Sequence, residues 1–231
     1  MENYLIFNGK SSADYGVWIS GGGTFNAPSR DIDTEIIPGR NGALIFDNGR
    51  YNNITVVYPG FISRDFSSRV GAFRAYMAAQ VGYKRLEDTY HPNEFRLASF
   101  RNGLDVNTAV RNMGGTFNIE FDCKPQRFLK SGERSTAYSS GAKINNETDF
   151  DALPLIQASG NGSITLNGTT ITISGNSGVI YIDCDTQDAY NGSTNKNRFI
   201  TPNFPKLSPG LNTLTYTGVT GVRITPRWWT L

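Results

Sequence analysis

The sequence predicts a mainly β protein with one α-helix, and three observations lead to that prediction. Glycine, which tight turns favour, accounts for 25 of the 231 residues. Charged residues make up only 18% of the chain, below the usual quarter, while aromatic residues reach 12%. Short runs of β-favouring, often alternating residues recur throughout, whereas one segment alone has helical periodicity. We therefore expect short strands joined by tight turns.

The first half reads as a series of strands separated by turn-forming residues. We predict strands at residues 4–7, 15–19, 34–37, 43–46, 51–58, 83–88, 95–100 and 115–123. Signals that end a strand or form a turn follow at residues 8–9, 38–42, 47–49, 59–60, 91–93 and 124–125. The clearest alternation lies at residues 54–58.

One of these turns has an unusual composition, Pro38, Gly39, Arg40, Asn41 and Gly42. Proline fixes φ and the two glycines allow positive φ, so the chain can bend sharply there. The turn is either a loop between two strands or a rigid elbow that presents Arg40 and Arg50 to another chain. Neither arginine has an obvious local partner in the sequence.

The helical segment carries a single apolar stripe, formed by Phe66, Val70, Phe73, Met77 and Val81. Ser67 or Ser68 can cap its start, Asp65 suits its positive end, and Gly82 ends it. This pattern predicts a surface helix that covers a sheet.

A polar, aperiodic stretch at residues 131–149 marks the predicted domain boundary, giving domains at 1–135 and 136–231. After it we predict strands at residues 154–158, 163–166, 169–173, 179–184, 211–216 and 222–225. Asn167 and Gly168 favour a type I′ hairpin turn. Short strands at this spacing without a helix signal predict a β-sandwich.

Charge and hydropathy exclude several classes of partner. The net charge is +2 without a basic block, so we expect no nucleic-acid partner. No run of 18 apolar residues is present, so we expect no membrane insertion. The first nine residues lack a secretory signal pattern, which predicts a protein made and kept in a cytoplasm. Cys123 and Cys184 are then expected as buried thiols.

No catalytic, metal or cofactor motif is complete, and we predict that the chain is not an enzyme and binds no cofactor. His91 is the only histidine, which argues against a histidine triad or a multi-histidine metal site. The pair Lys10–Ser11 lacks the first glycine of a phosphate loop, and Ile36 replaces the glycine of a calcium loop. Asp183 and Asp185 form either a solvated strand face or half of a glycosidase site.

The C-terminus is rich in aromatic residues, with Trp228 and Trp229 beside Arg227. Adjacent strand residues face opposite ways, so one tryptophan can plug the sandwich while the other is exposed. The alternative is an interface or a sugar-stacking surface, to which Tyr190 would contribute.

Motifs in both halves, taken in order, resemble the distal tail proteins (Dit) of long-tailed, non-contractile phages. In the first half they are the segments at residues 7–9, 15–17, 37–42 and 51–53, the single helix, and residues 83–92. In the second half they are residues 160–162, 182–183, 187–190, 203–207, 209–212 and 226–228.

The resemblance implies a homo-hexameric ring at the tail tip, assembled in the host cytoplasm. It implies a ring-forming, barrel- or sandwich-like N-terminal domain with one helix and a C-terminal galectin-like β-sandwich. It also implies contacts with the tail tube protein and the tail-associated hub protein, and with receptor-binding and tape-measure proteins as further partners. Because the chain is short, we expect no inserted carbohydrate-binding module. The alternative function is a carbohydrate-binding module for adhesion to the host surface.

Overall fold

The computed structural model describes residues 2–21, 23, 25–101, 103–104, 106–108 and 114–231. By its internal contacts the chain divides after Arg127 into two compact units. The predicted domain boundary after residue 135 stays a prediction. No helix in the described ranges is long and apolar enough to cross a membrane.

In the part of the first unit that the structure describes there are one α-helix and ten strands. These are β1 (Leu5–Phe7), β2 (Lys10–Ser11), β3 (Trp18–Ile19), β4 (Arg30–Ile36), β5 (Ala43–Tyr51), β6 (Ile54–Ile62), α1 (Phe66–Ala78), β7 (Lys84–Asp88), β8 (Glu94–Ser99), β9 (Val106–Thr108) and β10 (Gly115–Leu129), whose last two residues belong to the second unit. The main sheet has the order β2-β1-β7-β8-β10-β6-β3, and β9 also pairs with β10. Strands β4 and β5 form a separate two-stranded sheet.

Helix α1 contributes to the core of the first unit through the predicted apolar stripe. Phe66, Val70, Phe73 and Met77 are buried in that core. The prediction is wrong for Val81, which is 82% exposed. The helix ends at Ala78, so the 3.6-residue period that defines a helical face no longer applies at residue 81.

Strands β6 and β10 run past the residues predicted to end them. Pro59 lies within β6, opposite Asn118 of β10. Its carbonyl accepts a hydrogen bond from the Ser20 N–H, at 2.8 Å, just beyond the end of β3. Because the N–H and C=O of a strand residue point to the same side, the proline removes no hydrogen bond from the β6–β10 ladder.

The second unit is a set of antiparallel strands. They are β11 (Thr136–Ala137), β12 (Lys143–Asn146), β13 (Leu155–Leu166), β14 (Thr169–Ile173), β15 (Val179–Asp183), β16 (Asp188–Asn191), β17 (Thr194–Asn195), β18 (Gly210–Thr225) and β19 (Trp229–Thr230). Their main path is β11-β18-β13-β15-β16-β17, with β12 paired to β18 and β14 to β13. The structure joins two pairs of predicted short strands into the single long strands β13 and β18. Register shifts in the pairing of β13 with β18 accommodate the residues that separate the predicted strands.

Asn167 and Gly168 have φ values of 50° and 83°, as the predicted hairpin turn between β13 and β14 requires. The alternate residues Ile180, Ile182 and Cys184 point into the core of this unit. Both cysteines are free and buried, and burial raises the pKa of each thiol to about 12. Neither is therefore a reactive thiolate near neutral pH. The prediction of a mainly β fold is confirmed.

Replacing Phe73 by alanine should lower the free energy of unfolding by about 3–5 kcal/mol, because Phe73 is 1% exposed and its loss leaves a cavity. The control is Val81→Ala, which should change it by less than about 0.5 kcal/mol. Urea unfolding of the two variants measures both values. Equal losses would contradict the end of the helix at Ala78.

Candidate functional site

The first unit carries a β-hairpin that is separate from its main sheet. We call residues 30–51, strands β4 and β5 with their connecting turn, the arm. Its base is tied by the Asn52 N–H, which donates to the Ser29 carbonyl at 2.9 Å. Along both strands nearly every residue is exposed. An isolated two-stranded ribbon is at best marginally stable in water, so the arm needs another surface for support.

The two faces of the arm differ in polarity. Residues opposite each other in an antiparallel pair share a face, and the register pairs Thr34 with Ile45 and Ile36 with Ala43. This face, which we call the apolar face, consists of Ile32, Thr34, Ile36, Ala43 and Ile45, with the charged Asp47 opposite Ile32 at the end away from the tip. Ile36 is 81% exposed and Ile45 is 66% exposed. The opposite face carries Asp33, Glu35, Leu44 and Phe46.

The predicted elbow is the tip of the arm. Pro38, Gly39, Arg40, Asn41 and Gly42 are all exposed. Gly39 and Gly42 have φ values of 82° and 79°, and the Arg40 N–H donates to the Ile37 carbonyl at 3.2 Å. The Arg40 side chain has no ion pair with any of the described residues. The turn thus holds a cation at the end of the hairpin.

Arg50 has a partner, contrary to the expectation from sequence. Its Nε lies 2.5 Å from Asp31 Oδ2 across the hairpin. Arg30 is similarly paired with Asp47, at 2.6 Å. The predicted turn at residues 47–49 is a bulge inside β5, marked by the register shift between Arg30 and Ile32. Both ion pairs link the two strands at the bulge, but exposed pairs of this kind contribute little energy.

The three aromatic candidates have three different environments. The Tyr190 ring stacks on Tyr181, with centroids 5.8 Å apart. Trp228 packs against the core of the second unit. Trp229 stacks on Phe150 at 4.4 Å, and its Nε1 donates to the Asp151 carbonyl at 2.9 Å. A role for Tyr190, Trp228 or Trp229 as an interface or sugar-stacking residue stays a prediction.

Asp183 is not on a solvated strand face. It is 5% exposed and accepts two hydrogen bonds from Arg227, at 2.6 and 2.7 Å. Burial by itself would raise the pKa of Asp183, but hydrogen bonds and charge from Arg227 outweigh it and lower that pKa. Backbone N–H groups of Asp185 and Thr186 also donate to this carboxylate. The carboxylate accepts hydrogen bonds from a turn and from the Arg227 guanidinium, and this full pairing makes it unsuited to glycosidase chemistry.

The remaining candidates also have structural neighbours. His91 Nδ1 lies 3.1 Å from Asp88 Oδ1. Lys10 Nζ lies 5.3 Å from the centre of the Tyr76 ring. In the part of the chain that the structure describes, no three histidine, cysteine or acidic residues are grouped as metal ligands. Among the described residues, half of the large hydrophobic side chains that are exposed lie in the arm: Ile32, Ile36, Ile37, Ile45 and Phe46.

Neither protein-family models nor characterised protein sequences match this chain, so its similarity to known proteins is seen in structure alone. The crystal structure of SPP1 Dit (gp 19.1), described as a paradigm of the hub adsorption apparatus in phages that infect Gram-positive bacteria, matches with a TM-score of 0.77. The match covers 100% of both chains at 12% identity. The chain has the fold of a phage distal tail protein. Two structures of the phage P2 baseplate in its activated conformation, with Ca and with Sr, also match.

The baseplate matches have TM-scores of 0.53 and 0.51 at 9% identity and cover 97% and 96% of each chain. The distal tail fold extends over the whole chain, as the resemblance in both halves predicts. The galectin-like character of the second unit stays a prediction.

The arm's apolar residues were absent from the predicted site. The signal was present in the alternation of Ile32, Thr34 and Ile36, which is typical of an ordinary half-buried strand. Alternation shows that one face is apolar, but it does not show whether the same unit covers that face.

Replacing Asp183 by asparagine should lower the free energy of unfolding at neutral pH by about 1.5–3 kcal/mol, because it removes the charge-assisted hydrogen bonds with the partly exposed Arg227. The lowered pKa of Asp183 means that the carboxylate stabilises the fold above its unfolded pKa of about 3.9 and loses this effect as pH falls through the folded value. Stability of the wild type should therefore fall more steeply in acid than that of Asp183→Asn.

Urea unfolding at neutral and acidic pH measures both effects. Asp149→Asn, at an exposed carboxylate of the second unit, is the control and should behave like the wild type. If Asp183→Asn unfolds at the wild-type urea concentration, the pair has no stabilising role.

Proposed function

We propose that the chain is a structural, non-catalytic subunit of a phage tail tip. In this proposal six copies form a hub ring that joins the tail tube protein to the tail-associated hub protein and the receptor-binding apparatus. The ring assembles in the host cytoplasm and resides in the virion, and receptor-binding and tape-measure proteins are further partners. Support comes from the whole-chain likeness to SPP1 Dit together with the exposed arm.

The arm is the observation that carries this proposal. Its apolar face exposes Ile32, Ile36 and Ile45 to solvent, by 44%, 81% and 66% of their surfaces. Clustered apolar exposure of this kind marks an interaction surface. Burying one such side chain contributes about 1.5–3 kcal/mol, so covering the face can support a permanent contact. We infer that a neighbouring copy of the same chain covers it.

The geometry of a hairpin suits a ring. A projecting arm that docks on a different surface of the next copy makes a head-to-tail contact, and such contacts generate a ring when the rotation closes. The outer edges of β4 and β5 carry backbone groups that can pair with further strands. The tip would then carry Arg40 onto the neighbour or onto the tube.

Replacing Ile45 by lysine should abolish ring formation without lowering the melting temperature of the isolated subunit, because the side chain is exposed until the arm docks. Placing a charge in a buried contact is strongly unfavourable. The matched control is Val81→Lys, also at an exposed β-branched residue of the first unit, which should assemble like the wild type.

Mass photometry of the wild type and both variants gives the oligomeric states. A wild-type protein that remains a monomer at every concentration, and also with its tube and hub partners, would contradict the ring. A ring that Ile45→Lys leaves intact would contradict docking through the apolar face.

Replacing Arg40 by alanine should weaken assembly more than folding. Because Arg40 is exposed and unpaired among the described residues, its removal should leave the melting temperature of the subunit unchanged. Loss of one charged contact should raise the dissociation constant of the ring about tenfold, or about 1.4 kcal/mol. A lowered melting temperature with unaltered assembly would show that the tip serves its own unit only.

A further inference from the structure

Asn–Gly pairs recur along the chain, and asparagine is a chemically labile residue in proteins. In such a pair the backbone nitrogen of the glycine can attack the side-chain amide carbon of the asparagine, because glycine has no side chain to block the approach. Whether this attack takes place depends on how firmly the folded chain holds both groups. Among the residues that the structure describes, the asparagines followed by glycine are Asn8, Asn41, Asn48, Asn161, Asn167 and Asn191.

The pair at the tip of the arm, Asn41 and Gly42, is exposed at both residues. Neither the Asn41 side chain nor the Gly42 N–H has a hydrogen-bond partner in the described part of the chain. A Cβ atom built on Gly42 would meet no atom within 4 Å beyond its chain neighbours, so nothing packs against this glycine. Both residues lie outside strands β4 and β5, so no hydrogen bond between the strands opposes a rearrangement of this pair.

A second pair in the same hairpin, Asn48 and Gly49, is equally exposed but is held in place. Asn48 Nδ2 donates to Asp33 Oδ2 at 3.1 Å. The Gly49 N–H, which carries the attacking nitrogen, donates to Asp47 Oδ1 at 2.8 Å. The two pairs of the arm therefore share their sequence and their exposure and differ in their hydrogen bonds.

The other pairs are restrained as well. Three of them have an asparagine side chain that is hydrogen-bonded within the fold, at Asn8, Asn161 and Asn167. Asn191 lies in β16, where pairing with β17 keeps the backbone extended. Ring closure at Asn191 would have to break this pairing. Asn41 is thus the described asparagine at which the fold opposes the reaction least.

We propose that Asn41 is a site of spontaneous deamidation that limits how long the free subunit stays competent to assemble. The Gly42 nitrogen forms a bond to Asn41 Cγ, and the side-chain amide nitrogen leaves as ammonia with the proton that the Gly42 N–H gives up. Water then opens the resulting succinimide ring, which gives aspartate or isoaspartate at residue 41. The reaction needs neither an enzyme nor an oxidant.

The product changes the charge and the shape of the tip. A carboxylate next to Arg40 offsets the positive charge that the tip presents, and isoaspartate also lengthens the backbone by one carbon. The effect on assembly rests on the proposed function, in which Arg40 contacts the neighbouring copy or the tube. Conversion should raise the dissociation constant of the ring about tenfold, as the loss of the Arg40 charge does.

Incubation of the isolated subunit at mildly alkaline pH tests the site, because alkali promotes loss of the Gly42 N–H proton. Tandem mass spectrometry of a peptide that contains both arm pairs should show exchange of the amide NH2 for OH at Asn41. Asn48 is the matched control in the same molecule and should keep its amide. Absence of conversion at Asn41, or conversion of Asn48 at the same rate, would overturn the proposal.

Mass photometry of fresh and aged protein measures the effect on assembly. Aged wild type should dissociate at a concentration about tenfold higher than fresh wild type. Asn41→Gln closes the ring far more slowly, so its fresh and aged samples should have the same affinity, whatever its starting value. Aged wild type that is converted at Asn41 and assembles like fresh protein would overturn the effect on assembly. Fresh wild type that forms no ring would instead contradict the proposed function, while the mass measurement would still decide the site.

Discussion

The exposed apolar face of the arm is the constraint on which this account of the protein depends. Each compact unit buries its own core, but the arm places isoleucines on a ribbon with nothing of its own unit over Ile36 and Ile45, which stay largely exposed. Water disfavours such a surface, and a two-stranded sheet cannot supply a second layer for itself. In a ring, every arm would have a neighbouring copy that could cover its apolar face.

Buried charge gives the two units different properties. In the second unit Asp183 and Arg227 satisfy each other through two hydrogen bonds, so the pair closes a structural turn. In the first unit Arg96 is buried without such a partner in the described residues. The pair of Asp183 with Arg227 thus follows the rule that a buried charge needs compensation.

Much of the fold was predictable because it rests on local periodicity and turn chemistry. Strand alternation, the Asn167–Gly168 turn and the helix stripe through Met77 all follow from the sequence. The errors share a cause. Pro59 and residues 47–49 have the composition of strand ends, but pairing with the neighbouring strands keeps them within β6 and β5. Pro59 survives within β6 because its missing N–H faces away from β10, which no local pattern reveals.

The site was predictable only in part. The turn composition indicated a rigid tip with Arg40, yet pairing of Arg50 with Asp31 depends on the register of the hairpin. Contacts between residues far apart in sequence, such as Asp183 with Arg227, have no local signal either. Exposure of a strand face likewise depends on the folded chain. The same alternation of apolar and polar residues occurs in strands whose apolar face is covered and in strands whose apolar face is exposed.

Hydrogen–deuterium exchange of the arm, compared between isolated subunits and the assembled particle, tests the central claim most directly. If the arm docks on a neighbouring copy, amides at residues 30–51 should exchange quickly in the subunit and become strongly protected on assembly, while peptides of α1 change little. Equal exchange of the arm in both states would show that it stays exposed and would contradict the account.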